Sequence, residues 1–212
     1  MLSKFFTALT TAAVLAGSAG VANAGVTFVG YNTGVPVGEK LLTSFSTSAG
    51  LVPGYTGMLV SGTLTNHYQD PAYSATLRDP GQYLAVSTTQ YATYTLPSTE
   101  TVSIYIGSLD SSNKISFLTT GGTVSYTGSK LQALTTAKDN GDATSPLTNG
   151  WFTFTFTKPV ESVTFTSGIP SIEVADIAAA VVPEPASWAM MVLGLGLVGF
   201  AMRRRNVLAA AI

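Results

Sequence analysis

The most constraining feature of this chain is the run at residues 151–157, Trp-Phe-Thr-Phe-Thr-Phe-Thr, where aromatic and hydroxyl side chains alternate with a period of two. On a pleated strand that period sends Phe152, Phe154 and Phe156 to one face and Trp151, Thr153 and Thr155 to the other. A helix would scatter the same residues around its circumference, so the run reads as a strand with one face against a core. Similar alternation, broken by Gly, Pro, Asn and Asp, predicts strands at 58–64, 83–87, 91–96, 101–106, 114–118, 122–127, 162–166 and 171–174. Residues 135–149 read as the longest loop. So many short strands with little helical pattern predict an all-β domain, a β-sandwich of jelly-roll type, with a barrel as the alternative.

Such a domain must carry a hydroxyl-rich surface. Charged residues are 10% of the chain, against roughly 25% in ordinary soluble proteins. Between residues 25 and 182, six basic side chains stand against ten acidic ones, a net charge of −4. Phosphate binding relies on clustered Lys and Arg, so nucleic acid is excluded as a partner. Cysteine is absent, which removes disulfides, thiolate metal sites and a cysteine nucleophile from consideration.

Outside 25–182 the pattern changes. Lys4 gives the start a positive charge, residues 5–16 are apolar or small, and Ala22 and Ala24 flank Asn23 in a small-x-small arrangement. This is the layout of a secretory signal peptide over 1–24, cut by signal peptidase after Ala24. A buried N-terminal helix, the alternative, would show a polar face and a stop signal, and the run has neither.

The other end holds Pro183, Glu184, Pro185, Trp188 and Ala189, then an apolar stretch to Met202, then Arg203, Arg204 and Arg205. The two prolines hold the backbone extended and accessible. As a single transmembrane helix, residues 188–202 would span only about 22 Å of a hydrocarbon core about 30 Å thick, short for a permanent anchor. The arginines would stay on the cytoplasmic side of the inner membrane.

These residues resemble the PEP-CTERM sorting signal of Gram-negative bacteria, in its Pro-Glu-Pro-x-x-Trp-Ala variant. The resemblance implies that 183–212 is a sorting segment, recognised and cut by the membrane enzyme exosortase, and that the protein is transiently anchored before reaching the cell surface or extracellular matrix. Residues 206–212 depart from the pattern, since family members usually end soon after the basic cluster. A plain single-pass anchor is the alternative. Part of the middle is also similar to ectodomains of some exosortase-dependent surface proteins: Tyr83 to Val86, the Gly-Ser-x-Asp-x-x-Asn-x-Ile-x-Phe hairpin from Gly107 to Phe117, and Phe165 to Gly168. That resemblance implies a β-sandwich architecture and no particular activity.

Few residues suggest chemistry. His67 is the one histidine, and with Asp70 and a serine it would make a hydrolase triad, but no Gly-x-Ser-x-Gly elbow accompanies it. Asp139 and Asp142, beside Asn140 and Gly141, offer oxygens to calcium without EF-hand spacing, and a solvated turn is the preferred reading, since Asn-Gly and Asp clusters make turns without an ion. Asp110 and Asn113 pose the same choice, with the turn preferred. Tyr55, Tyr68, Tyr73 and Tyr91 can stack on sugars or serve as core-edge residues with a wet hydroxyl. The reading is therefore a non-enzymatic surface or matrix protein, cofactor-free and associated with exopolysaccharide. A carbohydrate-binding module and a secreted hydrolase are the alternatives.

Overall fold

The computed structural model describes residues 24–30, 34–64, 67–68, 70–71, 81–168, 171–180 and 190–198. The strands are β1 (Ala24–Gly30), β2 (Lys40–Thr43), β3 (Met58–Val60), β4 (Tyr83–Ser87), β5 (Tyr91–Gly107), β6 (Lys114–Thr119), β7 (Gly122–Thr127), β8 (Gly150–Thr166) and β9 (Ser171–Ala179). One short helix, α1 (Gly128–Leu134), follows β7. The strands pair in the order β3-β4-β9-β5-β8-β6-β7, with β1 on β8 and β2 on β9, and every pairing between them is antiparallel.

The all-β expectation therefore holds, but the strands join one hydrogen-bonded sheet instead of the two separate sheets of a jelly roll. Its depth comes from bending. β5 and β8 pair twice, Tyr91 to Thr95 against Thr166 to Ser162 and Thr101 to Ile106 against Thr155 to Gly150, with register shifts around Thr99. Pro97 and Pro159 fall in the same stretch, where a ring without an N–H is tolerated because the ladder is already interrupted.

Phe117 measures the bend. It lies opposite Val163 in the ladder, yet its ring is 4.7 Å from that of Phe154, nine residues back along β8. A straight strand would separate positions 154 and 163 by about 30 Å. The sheet thus folds over itself into two layers. One contains β3, β4, β2, β9, the second half of β5, the first half of β8, and β1. The other contains the first half of β5, the second half of β8, β6 and β7.

Alternation now has its cause. Phe152, Phe154, Val102 and Ile104 meet Phe117, Tyr126, Val163 and Phe165 between the layers. Burying each such side chain contributes about 1.5–3 kcal/mol. The opposite face of the first layer is not bare: Trp151, expected to point away from a core, packs with Tyr83, Ala85, Tyr105, Ala175 and Ala178 in a second apolar cluster.

Two pairs of expected strands, 91–96 with 101–106 and 151–157 with 162–166, are in fact the continuous β5 and β8. The expected strand at 171–174 continues to Ala179, and the one at 58–64 stops at Val60. The helix was not expected. It starts because the Thr127 side chain accepts a hydrogen bond from the Lys130 N–H, and it is fastened by the buried Leu131. Residues 135–149 do form the long loop, pinned by hydrogen bonds from the Lys138 N–H to the Leu147 carbonyl and from the Gly141 N–H to the Leu109 carbonyl.

Ala22, Pro183, Glu184, Pro185, Trp188, Ala189 and Arg203 to Arg205 lie outside the described residues. Residues 190–198 are helical, and among the described residues no helix is long and apolar enough to cross a membrane. The expected span at 188–202 extends past the described residues at both ends.

Candidate functional site

The outer face of the first layer gathers the acidic groups. Across β9, β5 and β8, Ala178, Ser103 and Thr153 form one row, and Asp176, Tyr105 and Trp151 form the next. Glu39, just before β2, reaches over this face. Its Oε1 accepts the Ser103 hydroxyl at 2.8 Å, so the hydrogen between Ser103 and Thr153, whose oxygens are 2.7 Å apart, comes from Thr153. Glu39 Oε2 and Trp151 Nε1 are buried with no hydrogen-bond partner. Burial raises the Glu39 carboxyl above the ordinary range, against the lowering effect of the Ser103 hydrogen bonds. Burial alone pushes Asp176 up from 3.8 to about 6.

Farther along the face, Glu173 is buried and accepts hydroxyls from Ser108 and Ser171. Tyr83 donates to the Gly62 carbonyl at 2.5 Å. Burial, followed by the nearby Asp70 and Glu173 carboxylates, holds the Tyr83 phenol above its usual range. Raised carboxyls are the raw material of general acid catalysis. A cavity of about 350 Å³ lies beside β2, lined by Leu41 to Ser44, Ser46, Thr47, Ala49, Gly50 and Tyr94, with no titratable acid or base except the tyrosine.

The residues singled out from sequence take plainer places. His67 is exposed in a turn and its N–H donates to the Leu64 carbonyl. Its ring makes no described bond to a serine or carboxylate, so no triad forms among the described residues. Asp142 is exposed, and its Oδ1 accepts the backbone N–H and the hydroxyl of Thr144, which lower its pKa. With its side-chain amide turned to donate, Gln132 reaches Asp139 Oδ1 at 2.7 Å. Both carboxylates thus belong to loop hydrogen bonding, and no group of three His, Asp or Glu able to hold a metal ion is found among the described residues.

Asp110 and Asn113 are turn residues. Asn113 Oδ1 accepts the Asp110 N–H at 2.7 Å, and its amide donates to the Ser171 carbonyl and the Ser167 hydroxyl, each at 3.0 Å. The expected hairpin does not form, because β8 lies between β5 and β6 in the sheet; the segment is a crossover connection, and these bonds clamp it to the turn between β8 and β9. The neighbouring Ser108 has φ 44°, an uncommon backbone held by the bond from its N–H to Asn149 Oδ1. The segment that resembles other ectodomains is therefore scaffold. Of the tyrosines, Tyr55 packs against the core and Tyr68 against the second cluster. Tyr91 is 45% exposed, while Tyr73 lies outside the described residues.

Beyond β9, residues 181–205 match the family model described as the PEP-CTERM protein-sorting motif. The chain carries a PEP-CTERM sorting signal. The matched residues include Pro183, Glu184, Pro185, Trp188, Ala189 and the three arginines. A PEP-CTERM signal supports exosortase-dependent sorting of a surface protein, with export to a surface or extracellular location.

No curated protein matches the sequence. Among solved structures, a variant catalytic domain of GH87 alpha-1,3-glucanase in complex with tetrasaccharides aligns at 13% identity and TM-score 0.35, covering 78% of this chain and 29% of that one. A GH87 alpha-1,3-glucanase catalytic domain with nigerose aligns at 13% identity and TM-score 0.34, covering 78% and 30%. The PEP-CTERM chain thus spans less than a third of those structures, and likenesses this weak bear on neither its fold nor its activity.

Proposed function

We propose that this is an exported surface or matrix protein, cut by an exosortase after brief residence in the inner membrane, whose ectodomain acts by association with exopolysaccharide and not by catalysis. The observation that carries the reading is the sorting motif at 181–205. Its place in the chain supports it. β9 ends at Ala179 in the middle of the sheet, and the last described hydrogen bonds hold Ala180, whose carbonyl accepts the Thr99 hydroxyl at 2.6 Å. Three residues later comes Pro183. The bent sheet then serves as a sandwich-like ectodomain of two layers, joined to its membrane stop by a short connection.

A C-terminal epitope tag tests this reading. In cells with an exosortase, the tag is expected to separate from the ectodomain, and changing Pro183, Glu184 and Pro185 together to alanine should leave a longer species in the membrane. A tag that stays attached to the wild-type chain in such cells would mean that 183–212 is a plain anchor.

A further inference from the structure

The second layer has an outer face of unusual composition, visible only once the register of four strands is known. Ser125, Ser116, Thr164 and Thr93 are opposite one another across β7, β6, β8 and β5. The flanking rows are Thr123, Leu118, Ser162 and Thr95 on one side, and Thr127, Lys114, Thr166 and Tyr91 on the other. Nine of these twelve positions are Ser or Thr and one is charged. All twelve are exposed or half-buried, while the residues between them point into the core.

The hydroxyls of the central row are held in place. Thr93 and Thr164 oxygens are 2.9 Å apart, as are those of Ser116 and Ser125. Threonine is stiff at χ1, so a paired threonine keeps its hydroxyl in one direction. At the corner, Tyr91 donates its hydroxyl to the Gly54 carbonyl at 2.8 Å, and its backbone N–H donates to Thr56 Oγ1 at 2.9 Å. Its ring is thus fixed while 45% exposed. Little side-chain freedom remains to be lost when this face binds something.

We infer that the outer face of β7, β6, β8 and the first half of β5 is a docking surface for a neutral polysaccharide. Charge and hydrogen-bonding chemistry select the partner. A face with one cation in twelve positions has no field to attract a polyanion or an anionic lipid surface. It is also too hydroxylated to bury well against an apolar protein patch. Each hydroxyl both donates and accepts, which matches a polymer whose surface is itself made of hydroxyls. The fixed Tyr91 ring supplies an apolar plane for the C–H face of a sugar.

This inference rests on the proposed association with exopolysaccharide, and the test separates the two. The probe is the producing cells' own extracellular polysaccharide, divided by anion exchange into neutral and acidic fractions and immobilised, with anionic phospholipid vesicles as a second surface. The exported protein is expected to be retained by the neutral fraction with little dependence on salt. Thr164→Lys, Ser116→Lys and Tyr91→Ala should each weaken retention by about tenfold or more, since each places an unpaired charge in the contact or removes the stacking plane. Thr164→Ser, which keeps the hydroxyl, and Thr155→Lys, on the outer face of the other layer, should retain wild-type binding, which separates loss of the surface from loss of the fold. If the neutral fraction holds the three weakening variants as tightly as wild type, the face is wrong and the matrix reading stands. Retention only by the acidic fraction or the vesicles overturns the partner chemistry. No retention by any surface removes the polysaccharide association itself, leaving exosortase sorting to be judged by the tag.

Discussion

Asp176 sits half-buried on the central strand β9, opposite Tyr105 in the ladder, and burial raises its carboxyl to about 6. The sign of the consequence follows from proton binding. Between the unfolded value near 4 and the folded value near 6, the native state binds more protons than the unfolded chain, so stability falls as pH rises through that window. Above it the full penalty remains, up to about 3 kcal/mol. Asp176→Asn is therefore expected to raise the melting temperature at pH 7.5 and to change it little at pH 4. Glu39, raised in the same direction by burial, leaves a residual slope. Melting curves at the two pH values check this, and equal shifts at both would mean that the carboxyl is not desolvated as described. None of this was legible in the sequence. His67, Asp139 and Asp142 drew attention by residue type and neighbours, whereas the perturbed groups are made so by partners far along the chain: Glu39 meets Ser103 from 64 positions away.

Elements were more legible than sites, because alternation is local. The alternation at 151–157 predicts a strand with its phenylalanines inward, as β8 has them, and 83–87 and 122–127 match β4 and β7. Misreadings occur where long-range pairing overrides a local stop. Pro97 and Pro159 look like strand ends, yet β5 and β8 run through them because each is paired on both sides of the bend. β2 has only four residues and an irregular register, too little for a pattern to show. β1 pairs with β8 at seven positions, from Ala24 opposite Phe156 to Gly30 opposite Gly150. It begins where the signal peptide is expected to end. Cleavage after Ala24 would leave six of the seven paired residues, with Val26 and Phe28 still packed against the core. Mass spectrometry of the exported protein should accordingly find Gly25 first, and a mature form retaining residues 1–24 would contradict both the signal peptide and this placement of β1.

At the scale of the molecule, the sequence separated two addresses from a β domain, and the sorting address is the part a family model matches. The bent sheet was not legible, because whether strands form one sheet or two depends on which neighbours each selects, and alternation records only which face is buried. The sheet also determines what the tail contributes to stability. β9 lies between β4 and β5, and its residues Ile172, Val174 and Ile177 are fully buried. Hydrogen bonding then reaches Ala180, whose N–H donates to the Thr101 carbonyl at 3.1 Å and whose carbonyl accepts Thr99. The frame is thus closed before the sorting motif begins. A chain ending at Val182 is expected to show the same strand-dominated far-UV circular dichroism as the full chain in detergent, and a melting temperature within about 4 °C of it, the shift that about 1 kcal/mol produces in a domain of this size. Ending the chain at Gly168, which removes β9, should abolish cooperative unfolding, because β4 and the second half of β5 would lose their shared neighbour and the core its inner wall. If the Val182 chain also fails to unfold cooperatively, residues beyond 182 hold the fold together, and an exosortase cut there would destroy the domain it is meant to release.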